Sequence, residues 1–573
     1  MMPANCHFLS LVINLFEFIQ HTIINTTMKK NLLSTVLIFI LTLVSNNVTA
    51  QFLDDSTQTY FVCNATGSQR AVRAFSDGNG GTYSFWLDKR DGLVGTSVYG
   101  QHLDSLGNPQ WASNGKFFTQ AAGKEIWLMD AIQWQSGILL AWIQGGFGVG
   151  GDTLLCQYFD NAGTPQWSSA TLVGNKQGGI IYVSTDNLDI FSNDNGATIT
   201  FGLVPSGGNT YYSFNNIDNT GNLVYPLNSK SYSGGGYYYR TAPDHKNGFY
   251  VATATGGLGS HIFVGHFDEA GNSTISSPVD ISTVAGGRGG DQWKVVCDND
   301  TNAYVVWDSN SPGDVYIAKI NPDGNLPWGG GGAKPICTVP GYKANPEVII
   351  SNDTISVIWN DPRLGAANYK VYMQKLDTAG NSLWTPDGIL LSDLPSYNPY
   401  PKLVKVGTNV VATFTVGSKF RAQQIAPDSS ILWQQNGIAV NISNLPFYDD
   451  YVLVPSLDGT VTAIWRENME NICASRIRPN GTLTNITNIQ QGLLSVYPNP
   501  ATDELNIILP ATKNNEVRLS VFNSMGSLVK IISLNNSSDG HVVLNTSDLI
   551  SGYYFIKLNG PDMNMTAHFC VVK

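Results

Sequence analysis

The sequence predicts an all-β protein made of a long repeated region and a small separate unit at the carboxyl end. Three observations predict it. Charged residues are only 13% of the 573-residue chain, against about 25% in an average soluble domain. Glycine and aromatic residues are plentiful, with 58 Gly, 25 Tyr, 24 Phe and 13 Trp. One short pattern of strands and tight turns recurs eight times. Helix surfaces draw on Glu, Lys and Arg, which this composition withholds. A hydrophobic content of 42% supplies a large core and excludes wholesale disorder.

The repeat runs from about residue 70 to residue 488. Each unit holds a short apolar strand, often ending in Trp: Thr82-Tyr83-Ser84-Phe85-Trp86, Ile138-Leu139-Leu140-Ala141-Trp142, Tyr304-Val305-Val306-Trp307, Ser356-Val357-Ile358-Trp359 and Val461-Thr462-Ala463-Ile464-Trp465. Thr198 to Phe201, Phe249 to Ala252 and Val410 to Phe414 fill the same place without Trp. A second strand then enters a turn whose glycine falls at Gly107, Gly163, Gly221, Gly271, Gly324, Gly380 and Gly481, with Ser429 standing in once. Asp104, Asp160, Asp218, Asp268, Asp323 and Asp377 share that turn, and Trp111, Trp167, Trp328, Trp384 and Trp433 follow it. Glycine supplies the positive φ of tight hairpins, and β-branched and aromatic residues suit a packed pleated face. A period near 53 residues accommodates four strands and their turns. One such sheet cannot bury both faces alone, but a circle of them can. The prediction is an eight-bladed β-propeller, with seven blades as the alternative, over residues 51–490.

The amino terminus reads as an export signal. Lys29 and Lys30 precede an apolar run from Leu32 to Val44, followed by Val48-Thr49-Ala50. A cationic start, an apolar stretch and a small-x-small site define a secretory signal. The run is shorter than the roughly 20 residues of a membrane span, so no transmembrane segment is expected after cleavage. Residues 1–27 contain no Lys or Arg and read as translated upstream sequence. The signal peptide is placed at 28–50 and the mature chain starts at Gln51.

At Gln491-Gly492 the repeat stops, and residues 491–573 read as a second domain. Alternating runs such as Leu505 to Leu509 and Val517 to Phe522 are half-buried strands, and Pro498 and Pro500 block a helix at the entrance. The stretch Leu494-Ser495-Val496-Tyr497-Pro498-Asn499-Pro500-Ala501, the turn at Gly526, the pair Gly552-Tyr553 and the terminal Lys573 closely resemble the type A C-terminal sorting domain of the type IX secretion system. Cys570 stands where that family usually has an aliphatic residue. The resemblance implies a small antiparallel β-sandwich that addresses an exported protein to an outer-membrane translocon. It also implies release or attachment at the cell surface.

Charge and motifs exclude several function classes. The net charge of −11 and pI near 5.1 leave no basic footprint for nucleic acid. There is no Cys-x-x-Cys, no His-Glu-x-x-His and no Gly-x-Ser-x-Gly, which argues against familiar zinc and serine hydrolases. Gly146 to Gly151 matches G-x-G-x-x-G, but a strand follows where a dinucleotide site needs a helix. Asp298-Asn299-Asp300-Thr301-Asn302 opens like a calcium loop, yet Ala303 and Ser309 replace the required Gly and Glu. No cofactor is expected, with calcium as the secondary alternative. The six cysteines left after cleavage have no paired spacing and read as buried small hydrophobes, and a Cys297–Cys337 pair is left open. Asp88, Asp308, Asp361 and Glu467 follow the repeat Trp and form a candidate acidic ring. Its alternatives are turn chemistry, a bound cation, or acid–base work on a sugar. Tyr211-Tyr212 and Tyr237 to Tyr239 are either contact residues or core. The expected function is a secreted or surface propeller that binds glycan or protein without catalysis. The alternative is a polysaccharide hydrolase or lyase with a carboxylate-lined funnel.

Overall fold

The computed structural model describes residues 52–53 and 60–573, apart from 91–94, 122, 147–152, 177–179, 183–187, 205–210, 233–237, 256–260, 284–292, 310–312, 330, 352, 364–368, 397–399, 417–418, 441–445, 469, 487–494, 509–516, 524–527, 535–540 and 561–562. The predicted signal peptide, the upstream residues 1–27 and the Gln491-Gly492 junction therefore lie outside the described residues. Among the described residues there are strands and turns and no α-helix.

Eight antiparallel sheets follow one another along the chain. Sheet one holds Gln69–Ser76, Thr82–Asp88, Ser97–Leu103 and Lys116–Gln120. Sheet two holds Glu125–Trp134, Gly137–Gly145, Thr153–Asp160 and Thr171–Asn175. Sheet three holds Ile180–Tyr182, Leu188–Asn193, Gly196–Val204, Tyr211–Asp218 and Lys230–Tyr232. Sheet four holds Tyr238–Pro243, Phe249–Ala254, Ile262–Phe267 and Val279–Asp280. Sheet five holds Trp293–Cys297, Ala303–Asp308, Val315–Ile320 and Ala333–Cys337. Sheet six holds Ala344–Ser351, Thr354–Asp361, Tyr369–Asp377 and Ile389–Ser396. Sheet seven holds Lys402–Val406, Asn409–Val416, Lys419–Ile425 and Ile438–Ala439. Sheet eight holds Pro446–Pro455, Val461–Glu467, Asn471–Ile477 and Leu483–Ile486, and two early segments join it. Phe52–Leu53 pairs with Leu483–Ile486, and Tyr60–Cys63 pairs with Asn471–Ile477. Both ends of the repeat region thus build one sheet.

A separate apolar cluster fills the space between each sheet and the next, from one to eight. The strand-ending Trp307 belongs to the cluster between sheets four and five, and Trp359 to that between five and six. Both are buried, as their place at the end of an apolar strand predicts. Where Trp is missing, Phe201 and Phe414 fill the same register with full burial. The first sheet also meets the last: the Asp450 carboxylate accepts from the backbone N–H groups of Ala71 and Val72 at 3.1 and 2.8 Å.

The glycine turn keeps one backbone hydrogen bond in all eight sheets, from its fourth residue's N–H to the carbonyl of the residue that opens it. In sheet one the Gly107 N–H donates to the Asp104 carbonyl at 2.8 Å, and Asp104 Oδ1 accepts from the N–H groups of Leu106 and Asn108. Gly107 has φ +83°, and Ser429 adopts φ +76° in its place. In sheet five the turn opens on Asn321, with Asp323 in its interior: Gly324 donates to the Asn321 carbonyl. A buried amide, Gln101, Gln157, Gln374 or Gln423, sits three residues before the turn and binds the chain beyond it. Gln101, for example, accepts from Trp111 N–H and donates to the Ala112 carbonyl.

The tryptophans after this turn reach the following sheet. The indole N–H of Trp328, Trp384 and Trp433 donates to the carbonyl of Thr378, Pro427 and Pro479 at 3.0–3.2 Å. Asn114, Asn228, Asp387 and Asn436 reach the opposite way. Each has φ between +55° and +66° and accepts an N–H from the outer strand, or its end, of the preceding sheet: Asn64, Asn175, Thr338 and Asp393.

After the repeat come two more sheets. One pairs Ser495–Tyr497, Glu504–Ile508 and His541–Asn545; the other orders Leu528–Leu534, Val517–Asn523, Gly552–Gly560 and Met563–Val571. Their shared core holds Leu505, Ile507, Leu519, Val521, Ile556 and Phe569.

Candidate functional site

In a strand, residues two apart share a face, so Trp86 and Asp88 point the same way, as do Trp359 and Asp361. Each indole N–H donates to its aspartate, at 2.8 and 2.9 Å. Two residues further on, Arg90 and Arg363 close on the same oxygens at 2.6 Å. Each guanidinium also lies over a tyrosine ring, Tyr99 or Tyr372, at 3.8 and 3.7 Å. It touches a thiol, Cys63 or Cys337, at 3.3 Å. Burial pushes the Asp361 pKa up, but the hydrogen bonds from Arg363 and Trp359 outweigh it and hold the carboxyl below its usual value. Asp308 and Glu467 are also buried; burial and the neighbouring Glu467 push the Cys473 thiol up. The four predicted acids each end the second strand of a sheet, in sheets one, five, six and eight. All four are buried there.

Local contacts engage other residues that the sequence singled out. Asp298 Oδ1 accepts from Asp300 N–H and Asn302 N–H, and its other oxygen from Tyr304 O–H, the contacts of a tight turn. Among the described residues no three His, Cys, Asp or Glu side chains converge to hold a metal ion. Cys297 and Cys337 are both free and buried, in different surroundings: Cys297 faces the Ala242 carbonyl and Cys337 faces Arg363. Tyr212 and Tyr239 pack against each other with tilted rings 5.0 Å apart in the core between sheets three and four. Tyr237 lies outside the described residues, as do Phe147 to Gly151 of the glycine-rich loop.

A belt of charge along the first, inner strands escaped the sequence reading. In sheets one to seven, one register position, opposite the residue before the second-strand Trp or its substitute, holds Arg73, Asp130, Asp189, Arg240, Lys294, Glu347 and Lys402. Asp450 joins from sheet eight, two residues off that register. Most reach forward to the next sheet. Arg73 meets Asp130 at 3.5 Å, Asp130 accepts from Ile190 N–H at 3.1 Å, and Asp189 accepts from the Thr241 hydroxyl at 2.5 Å. Lys294 meets Glu347 at 3.1 Å, and Lys402 donates to the Tyr451 carbonyl at 2.6 Å. Burial, reinforced by Asp189 and opposed by Arg73, raises the Asp130 pKa to about 7. The signal was present, since a charged residue recurs in the first strand of every repeat, but it alternates in sign and so hides from a motif search.

Just beyond Asp130 and Asp189, toward the hairpins joining first and second strands, lies a cleft of about 490 Å³. Sheet two contributes Ile132 and Gln133, sheet three Ile190 to Asp194 with Thr198, and sheet four Pro243 to Gly248. Its rim is fixed by the reciprocal pair Asp194–Asn247, with Asp194 N–H donating to Asn247 Oδ1 and Asn247 Nδ2 to Asp194 Oδ2, both at 3.0 Å.

In the carboxyl-terminal unit the predicted motif residues meet around the chain end. Asn499 Oδ1 accepts from Cys570 N–H at 2.9 Å, and Asn499 Nδ2 donates to the His568 carbonyl. Lys573 Nζ donates to the Thr502 carbonyl at 2.9 Å and lies 3.3 Å from Asp503. Gly552 pairs with Val571, while Tyr497 and Tyr553 are half-exposed. Pro498 and Pro500 follow cis peptide bonds. Gly526 lies outside the described residues.

Residues 495–572 match the family model described as the secretion system C-terminal sorting domain. The chain therefore carries a type IX sorting domain and is an exported protein, destined for the outer surface or the exterior. No curated protein matches the chain. Among solved structures, the puromycin hydrolase S511A mutant complexed with PGG is 12% identical at TM-score 0.37; the match covers 71% of this chain and 61% of that one. The BP39L lectin from Burkholderia pseudomallei is 10% identical at TM-score 0.38, over 75% of this chain and 99% of the lectin. Bacteroides ovatus Xyloglucan PUL GH43B is 14% identical at TM-score 0.26, over 67% and 88%. Among the described residues no helix is long and apolar enough to cross a membrane.

Proposed function

We propose that residues 51–490 are an eight-bladed β-propeller exported by the type IX system to bind glycan or protein at the cell surface or outside it. The tail around Tyr497 to Pro500, Gly526, Gly552-Tyr553 and Lys573 acts as the address. The observation that carries binding over catalysis is the fate of the acidic ring. Asp88 and Asp361 are each closed by an arginine and an indole, and Asp308 and Glu467 are buried. On this reading the four acids serve the packing of their own sheets. A second reading, a polysaccharide hydrolase or lyase, draws on one observation: Asp130, with its pKa near 7, stands beside Asp189. Glycoside hydrolysis uses two carboxyl groups, one of them an acid with a raised pKa. A screen of the mature chain on a glycan array, alongside reducing-sugar release from polysaccharides, separates the two. Binding without release is expected; release that disappears in Asp130→Asn and Asp189→Asn establishes the hydrolase.

A further inference from the structure

Three sheets place a basic side chain at one register position of the third strand, directly opposite a second-strand tyrosine. His102 lies across from Tyr83, His266 across from Tyr250 and Lys319 across from Tyr304. Each faces the aspartate of the hairpin between the first and second strands. His102 Nε2 lies 3.0 Å from Asp77, His266 Nε2 2.9 Å from Asp244, and Lys319 Nζ 3.7 Å from Asp298. The position accepts a full positive charge in sheet five, where lysine fills it.

His266 differs from His102 at its other ring nitrogen. His266 Nδ1 lies 2.8 Å from the Thr274 hydroxyl, and that hydroxyl donates to the Pro322 carbonyl in the turn of sheet five. Asp244, His266, Thr274 and Pro322 thus form one chain of contacts from sheet four to sheet five. A carbonyl and a carboxylate only accept. The single hydroxyl proton of Thr274 goes to Pro322, so Thr274 Oγ1 accepts from Nδ1 while Asp244 accepts from Nε2. The chain therefore needs a proton on both ring nitrogens, and a neutral imidazole carries one. Burial pushes the Asp244 carboxyl up, but hydrogen bonds from His266 and from the N–H groups of Lys246 and Gly248 outweigh it and hold it below its usual value. The extra proton is then on the ring and not on the carboxylate.

His266 and Asp244 are both buried. The His266 ring packs on Tyr250 with centroids 4.4 Å apart. From sheet five the thiol of Cys297 and the carboxylates of Asp298 and Asp323 act on that tyrosine together with Asp244, and Lys319 lies against Asp298. Tyr250 gives its own hydroxyl to the Thr301 carbonyl of sheet five at 2.7 Å, a link that needs no charge. His102 supplies the contrast in sheet one: its Nδ1 has no hydrogen-bond partner among the described residues, so a neutral ring satisfies its contact with Asp77.

We infer that His266 is a buried imidazolium whose second proton fastens sheet four to sheet five through Thr274 and Pro322, and that loss of this proton opens the fastening. The hairpin from Pro243 to Gly248, which forms the sheet-four wall of the cleft, is tied to the same chain through Asp244, whose Oδ1 accepts from Lys246 N–H and Gly248 N–H.

Nitrogen-15 spectra of the full chain labelled at histidine test it, with the His266 signals assigned by their loss in His266→Gln. At pH 7 both ring nitrogens of His266 are expected to carry protons, and Thr274→Ser should keep both. Thr274→Val keeps the shape and removes the hydroxyl, so one of the two protons should be lost. A ring that holds its extra proton only in the folded state stabilises at low pH and ceases to do so as pH rises. The wild-type chain should therefore melt above Thr274→Val at pH 6, and that gap should close at pH 9. A wild-type ring with a single proton at pH 7 overturns the inference, whether or not any variant folds. Two protons retained in Thr274→Val overturn the role of Thr274, and a melting gap equal at pH 6 and pH 9 overturns the dependence on the proton.

Discussion

The repeat region and the carboxyl-terminal unit use their side chains in opposite ways. In the repeat region large aromatic side chains are spent inside: Trp86, Trp293, Trp307, Trp359 and Trp465 are fully buried. Charged groups there link one sheet to the next. The sorting unit has a closed core too, yet it leaves Leu528, Ile531, Tyr553 and Phe555 facing solvent on one sheet and Ile508 and Val543 on the other. Among the described residues it exposes as many large apolar side chains as the whole repeat region. Large contiguous apolar patches mark interaction sites, and recognition of these side chains by the export machinery is put to the test below. A region that has to hold eight sheets together has no such surplus.

The sharpest way to break this comparison is to remove the tail. A chain lacking residues 494–573 should keep the melting temperature of the repeat region and fail to leave the periplasm of its native host, followed by cell fractionation. Normal export of the truncated chain would return the tail to the repeat region as part of its surface.

Next in size is the interior. Trp359→Ala should cost about 3–5 kcal/mol in denaturant unfolding, because it opens a cavity between sheets five and six and strips Asp361 of its indole donor. A loss below about 1 kcal/mol would mean that the inter-sheet clusters do not bear the stability assigned to them.

The charged belt gives a smaller and pH-dependent effect. The folded pKa of Asp130, about 7, exceeds its unfolded value near 3.9, so the folded state binds the extra proton. Its contribution is fully present below about pH 4 and is lost as pH rises through 7. Asp130→Asn should flatten that decline and raise stability at pH 8, by on the order of 1–3 kcal/mol, with little change at pH 4. Thermal melts across that range check it; a wild-type curve that rises from pH 4 to 7 and is made flat by the variant would reverse the sign.

The smallest expected stability change is on the exposed sheet of the tail. Tyr553→Ser combined with Phe555→Ser should shift unfolding by less than about 0.5 kcal/mol per site, as for other surface positions, while export of the full chain falls. Unchanged export would separate exposure from recognition in this unit.

Local chemistry made much of this legible from sequence. Gly107 and its equivalents announce their turns because positive φ excludes most residues, and Ser429 shows that the position tolerates substitution where the turn is otherwise held. Trp307 and Trp359 were readable as core because each ends an apolar strand. The run from Tyr497 to Pro500 with Lys573 was readable as an address. What sequence could not decide is where a side chain's partner comes from. Asp361 looks equally like a catalytic acid or a turn acid until Arg363, Trp359 and Cys337 are seen around it. Arg73 and Asp130 lie in separate repeats, and only the packing of sheet against sheet brings them to 3.5 Å. Sequence determines periodicity and turns because these depend on neighbours along the chain. The belt and the cleft depend on neighbours across sheets, which exist only once the eight sheets have packed.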